Sequence, residues 1–121
     1  MRHLLDTTDL SLDEIDNIIA TAIDIINNKE KYSHICDGKK LATLFFEPST
    51  RTRLSFETSM KRLGGNCIGI ENTRSCSVSK GESIADTAKM FEGYSDALVI
   101  RHELEGVSKF ISDIVDVPVI N

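Results

Sequence analysis

Apolar residues recur along this chain with two different periods, and the way they alternate sets the expected architecture. Ile15, Ile18, Ile19, Ala22 and Ile26 fall at helical spacing. They follow Ser11 and Glu14, whose S-x-x-E spacing is that of a capping box. The stretch from Asn27 to Lys40 is polar and reads as a connection. Leu41 to Phe46 is a short apolar run that suits a buried strand. Ser49 is a natural N-cap for the helix that follows; its apolar stripe is Phe56, Met60 and Leu63, and Gly64 and Gly65 stop it. Cys67 to Ile70 predicts a second strand, and Glu71 to Ser79 is polar. Ser79 and Glu82 repeat the capping-box spacing ahead of Ile84, Ala88 and Phe91, and Gly93 ends that helix. Ala97 to Ile100 predicts a third strand. Val107, Phe110, Ile111 and Ile114 form another helical stripe, and Val117 to Ile120 predicts a fourth strand.

After the first helix, strands and helices therefore alternate. That pattern predicts an α/β fold: a four-stranded parallel sheet with right-handed crossovers and helices on both faces, preceded by an N-terminal helix. If the strand order is 2-1-3-4, strands one and three are neighbours. The loops at their carboxyl ends then share one crevice, where doubly wound sheets bind ligands. No internal repeat, linker or second domain interrupts residues 1–121.

Composition narrows the function. The 121 residues are 40% hydrophobic, enough for a core without disulfides or a metal. The net charge of -5 argues against nucleic acid as the main partner, so anion-binding cations have to be gathered locally. Cys36, Cys67 and Cys76 show no C-x-x-C spacing and read as reduced thiols of a cytoplasmic protein. No signal-like stretch is seen, and no run approaches the ~20 apolar residues of a membrane span. Neither a metal-ligand cluster nor a nucleotide-binding glycine loop is present, so no metal or other cofactor is expected.

The chemistry concentrates in Glu47-Pro48-Ser49-Thr50-Arg51-Thr52-Arg53, on the first strand-to-helix turn. A helix N-terminus offers free N–H groups and partial positive charge. Cations there are unfavourable for the helix alone, so Arg51 and Arg53 point to a bound anion. Ser49, Thr50 and Thr52 add hydroxyls of the kind phosphate oxygens accept. Arg101, at the end of the third strand, would face the same crevice. Taken alone, it is more readily read as a surface partner of Glu103 or Glu105 than as a ligand contact. His3 and His102 carry little signal by themselves.

The run Glu-Pro-Ser-Thr-Arg-Thr-Arg-Leu-Ser-Phe-Glu, Glu47 to Glu57, resembles the carbamoyl-phosphate signature of the carbamoyltransferases. The similarity continues through Met60 to Gly65, Lys80-Gly81-Glu82 and Arg101-His102. Within that family the aspartate branch is favoured over the ornithine branch. Pro48 directly follows Glu47, Lys80 precedes Gly-Glu, and Arg101-His102-x-x-Glu105-Gly106 is similar to the aspartate pattern, with Glu103 where proline is usual. The usual serine of the loop before Lys80 falls on Cys76, with Ser77 beside it.

The resemblance implies transfer of a carbamoyl group from carbamoyl phosphate to L-aspartate, an early step of pyrimidine biosynthesis. It implies that Ser49, Thr50, Arg51 and Thr52 hold the phosphate, and that Thr52 and Arg101 polarise the carbonyl. Arg51 would stabilise the leaving phosphate, Lys80 and Ser77 would come from an adjacent subunit of a homotrimer, and Glu47 and Glu82 would orient arginines. Regulatory chains are possible partners in this family. It further implies that residues 1–121 are the carbamoyl-phosphate-binding domain alone. The family's His-Pro-x-Gln segment and aspartate-binding domain would lie beyond Asn121, the polypeptide would have little activity by itself, and the first helix's apolar stripe would be partly exposed. The competing readings are an ornithine carbamoyltransferase domain, a non-catalytic anion-binding or assembly module, and an α/β domain whose basic turn makes only surface contacts.

Overall fold

The computed structural model describes residues 1–70, 81 and 83–121. Helix α1 (Leu12–Asn27) and a one-turn helix α2 (Lys29–Tyr32) lead into strand β1 (Lys40–Phe45). Then come α3 (Thr50–Arg62), β2 (Asn66–Ile70), α4 (Ile84–Glu92), β3 (Ala97–Arg101), α5 (Val107–Ser112) and β4 (Val119–Ile120). The four strands form one parallel sheet in the order β2-β1-β3-β4, as the alternating pattern predicts.

Helices cover both faces because successive strand residues point to opposite sides. Ala42 and Leu44 of β1 join Leu98 and Ile100 of β3 on the face covered by α4 and α5, with Ala88, Phe91 and Ile111 packed among them. Leu41 and Phe45 join Val99 on the other face, against Phe56 and Met60 of α3. Phe45, Leu44 and Leu98 are essentially removed from water. Each such side chain contributes about 1.5–3 kcal/mol through burial.

Helix α1 forms as its capping box predicts: Ser11 Oγ accepts from the Glu14 N–H at 3.3 Å, and the Ser11 N–H donates to Glu14 Oε2 at 2.8 Å. No α1 residue is fully buried, and Ile18, Ile19, Ile23 and Ile26 are each more than half exposed, the partial exposure expected of that stripe. A cleft of about 640 Å³ lies between α1, α2 and the C-terminal end of α3, lined in part by Ala22, Ile26, Arg62 and Leu63.

The elements depart from the periodic reading in several places. The supposed connection holds α2, tied to α1 through Asp24: its carboxylate accepts from Tyr32, from Lys31 Nζ at 2.9 Å and from Asn28 Nδ2. Ser83 caps α4, its Oγ accepting from the Asp86 N–H at 3.1 Å, so the helix opens at Ile84; Ser79 and Glu82 lie outside the described residues. Helix α5 stops at Ser112, short of Ile114. Strand β4 pairs with β3 over only Val119 and Ile120, and its far edge is taken by the N-terminus. There the Leu4 N–H donates to the Val119 carbonyl at 2.8 Å and the Asn121 N–H to the Leu4 carbonyl at 2.9 Å. Hydrophobic periodicity gives no signal for so short a pairing.

Candidate functional site

The site begins where β1 ends. Parallel pairing sets Phe45 beside Arg101, and the Phe46 N–H donates to the Arg101 carbonyl at 2.9 Å. The chain leaving β1 is thereby held against the end of β3, and Glu47 and Arg101 come together. Arg101 Nε lies 3.5 Å from Glu47 Oε2, and Nη2 lies 3.5 Å from Oε1. The partner of Arg101 is thus Glu47, from a different loop, rather than the sequence-adjacent Glu103 or Glu105. His102 accepts the Leu104 N–H on Nδ1 at 2.9 Å, which puts any proton of the neutral ring on Nε2. Its ring lies 5.4 Å from that of Phe46, so it braces the residue before Glu47.

Ser49 then occupies the N-cap position of α3, but its side chain makes no capping hydrogen bond. The simple capping role expected of Ser49 is therefore unfilled within the chain. The first backbone donor to bond back is the Arg53 N–H, to the Ser49 carbonyl at 3.0 Å. The N–H groups of Thr50, Arg51 and Thr52 precede it and have no intrahelical acceptor, as at any helix start. No acidic residue lies in this first turn. Arg51 is exposed, and among the described residues no carboxylate pairs with it.

The two arginines of the turn separate in the folded chain. Arg53 folds back onto α3, its Nη1 3.1 Å from Glu57 Oε1 and 3.3 Å from Oε2, and both side chains are largely buried. Glu57 also accepts from Thr43 Oγ1 at 3.0 Å. Arg53 is therefore neutralised inside the protein, and its charge no longer argues for an external anion as the sequence suggested. Arg51 keeps that argument. Thr43 and Glu57 escaped the sequence reading, although two signals were present. Arg53 and Glu57 are four apart on one helix face, and Thr43 is a polar residue inside an otherwise apolar strand.

Ser49, Thr50, Arg51, Thr52, Glu47 and Arg101 thus gather at the carboxyl ends of β1 and β3, the two central strands. Lys80, Ser77 and Glu82 lie outside the described residues. Among the described residues no cluster of three or more His, Cys, Asp or Glu side chains could hold a metal ion, and no helix is long and apolar enough to cross a membrane. The 640 Å³ cleft is at the other end of α3, whose 13 residues span about 20 Å. A turn of open N–H donors, hydroxyls and an exposed guanidinium can hold a multiply charged oxyanion.

Fold and turn together define a parallel α/β domain with an uncapped, hydroxyl-rich helix N-terminus at its topological switch point. By the family model that matches residues 2–121, the chain belongs to the aspartate/ornithine carbamoyltransferase family, in its carbamoyl-phosphate-binding domain. It is 72% identical over its whole length to the aspartate carbamoyltransferase catalytic subunit of Methanobrevibacter smithii, of which it covers 39%. Among solved structures, the catalytic subunit of M. jannaschii aspartate transcarbamoylase matches all of the chain at 46% identity with a TM-score of 0.88, over 40% of its own length. The Trypanosoma cruzi aspartate transcarbamoylase in complex with carbamoyl phosphate and aspartate matches 99% of the chain at 29% identity with a TM-score of 0.92, again over 40% of its own length. The chain thus spans about two fifths of the length of these relatives.

Proposed function

We propose that this chain supplies the carbamoyl-phosphate-binding half of an aspartate carbamoyltransferase. The observation that carries the reading is the uncapped N-terminus of α3, with exposed Arg51 in its first turn and the Arg101–Glu47 pair at the neighbouring strand end. The names of its relatives and the Glu47-Pro48 junction support aspartate over ornithine as the acceptor.

In the proposed reaction the amine of L-aspartate attacks the carbonyl carbon of carbamoyl phosphate. A C–N bond forms, the C–O bond to phosphate breaks, and the amine loses a proton, giving N-carbamoyl-L-aspartate and phosphate. The chain's part is positioning and charge stabilisation. Open N–H groups and hydroxyls of Ser49, Thr50 and Thr52, with the Arg51 guanidinium, hold the phosphate and take up the charge it gains on leaving. Thr52 and Arg101 donate to the carbonyl oxygen as negative charge develops there, and Glu47 keeps Arg101 aimed. Lys80 and Ser77 reach the site from the adjacent subunit of a homotrimer, and Glu82 orients an arginine. No His-Pro-x-Gln segment occurs within residues 1–121. Residues 1–121 alone then bind the anion with little or no turnover. The setting is the cytoplasm, and regulatory chains are further partners the family admits.

Calorimetric titration with carbamoyl phosphate and with inorganic phosphate, beside an Arg51→Ala variant, tests this. Binding by the parent chain that disappears in Arg51→Ala is the expected result. Equal binding by both proteins would remove the turn as the anion site. No binding by a folded parent chain would favour a basic turn making surface contacts only.

A further inference from the structure

We propose that Glu57 is a positioning residue for the anion site, holding the first turns of α3 in place through Thr43 and Arg53. This rests on the reading of the Ser49–Thr52 turn as the phosphate cradle.

Three residues from two elements form one polar cluster beneath that turn. Thr43 is completely buried at the middle of β1, and its hydroxyl donates to Glu57 Oε1 at 3.0 Å. The Ile68 carbonyl of β2 is 3.4 Å from the same hydroxyl. Glu57 in turn takes the Arg53 guanidinium on both carboxylate oxygens. Gly69 stands opposite Thr43 in the β1–β2 register, and a Cβ there would run into the Thr43 carbonyl and hydroxyl oxygens. The neighbouring strand therefore leaves the room that Thr43 needs.

Such a cluster is not the simplest way to pack a helix on a sheet. A largely buried ion pair brings little net stability, and apolar residues of similar volume serve packing as well or better. What it adds is direction. A hydrogen bond from mid-strand to a carboxylate two turns into α3 limits both sliding and rotation of the helix on β1. Apolar contacts from Phe56 and Met60 tolerate both motions far more easily. The N–H groups of Thr50 to Thr52 move rigidly with that helix, and a misplacement of about 1 Å at a site of this kind costs on the order of 100-fold. The same pair holds the Arg53 guanidinium along the helix, so that of the two arginines in this turn it is Arg51 that is exposed.

Glu57→Leu, Glu57→Gln, Thr43→Val and Arg51→Ala variants of the intact chain would be titrated calorimetrically with inorganic phosphate, with thermal unfolding followed in parallel. Glu57→Leu is expected to weaken phosphate binding about tenfold or more. Glu57→Gln still accepts the Thr43 hydrogen bond and is expected to stay within about threefold of the parent. Thr43→Val changes no charge and keeps the volume; it is expected to weaken binding in the direction of Glu57→Leu. It carries the test if Glu57→Leu fails to fold.

Unchanged affinity in both Glu57→Leu and Thr43→Val, with Arg51→Ala losing binding, overturns the positioning role and leaves the cradle standing. Tighter phosphate binding in Glu57→Gln also overturns it, since Glu57 would then act only by damping positive charge. No phosphate binding by the folded parent overturns this proposal and the cradle together.

Discussion

Arg101 and Glu47 face each other across the carboxyl ends of β3 and β1, with Nε 3.5 Å from Oε2 and Nη2 3.5 Å from Oε1. They are 54 residues apart in sequence and meet only because β1 and β3 are neighbours. About two fifths of each side chain remains exposed, so the pair stabilises the fold by about 0–1 kcal/mol. On the proposed function, its value lies in aiming Arg101. Glu47→Gln is therefore expected to leave the unfolding midpoint nearly unchanged while lowering turnover of the intact enzyme by about 10²-fold. Kinetics beside thermal melts check this; a large loss of stability with turnover retained would assign Glu47 to the fold instead.

Arg51 is exposed in the first turn of α3 and has no carboxylate partner among the described residues. Its replacement by alanine removes an unfavourable cation from a helix N-terminus, so the fold should be unaffected or slightly stabilised, by about 0.3–1 kcal/mol. The same change should lower turnover of the intact enzyme by about 10²–10³-fold. A folded variant that is fully active would remove Arg51 from the site.

Among the carboxylates held below their ordinary range, Glu14 and Asp24 link stability to acid most strongly. Hydrogen bonds from Arg2 and from the Ser11 N–H hold Glu14 at about 2, against an ordinary 4.5. Hydrogen bonds from Tyr32, Lys31 and Asn28 hold Asp24 at about 2, against an ordinary 3.8. Both values are lower in the folded state, so the stabilisation is fully present above the ordinary values and is lost as pH falls through the folded ones. Urea midpoints should therefore decline between about pH 4.5 and 2, and less steeply in a Glu14→Gln/Asp24→Asn double variant. Matching slopes in the two proteins would remove these groups as the cause.

Gly64 closes α3 with φ of +92°, and a Cβ there would sit 2.7 Å from the Ser33 carbonyl oxygen and against the Asp37 carboxylate. Gly38 has φ of +75° with nothing within 4 Å of its Cβ position. Gly38→Ala then meets only the left-handed backbone penalty, about 1–2 kcal/mol. Gly64→Ala should be destabilising by several tenths to a few kcal/mol more, because the α2–β1 connection has to shift. Equal losses in urea unfolding would show that this connection yields freely.

The periodic pattern carried most of the architecture. Four apolar runs separated by helical stripes have few arrangements that bury both sheet faces, and the parallel sheet in order 2-1-3-4 is one that the right-handed crossover rule admits. The candidate anion turn was legible as well, because Ser49 to Arg53 places hydroxyls and cations where a helix start leaves its donors open. These are local properties: spacing, capping and charge act over one or two turns of chain.

Contacts between distant segments were decided by the tertiary structure. Leu4 completes the sheet edge beside β4 through two backbone hydrogen bonds, which no side-chain pattern announces. Arg101 chooses Glu47 over the nearer Glu103 and Glu105, because strand pairing sets backbone positions before side chains select partners. Arg51 and Arg53 look alike in sequence, yet of the two it is Arg53 that meets Glu57, and Glu57 is also reached by a hydroxyl from mid-β1. Helical spacing makes the Arg53–Glu57 contact available; only the seating of α3 on β1 determines that its carboxylate is also anchored to the sheet, and so which arginine is left facing solvent.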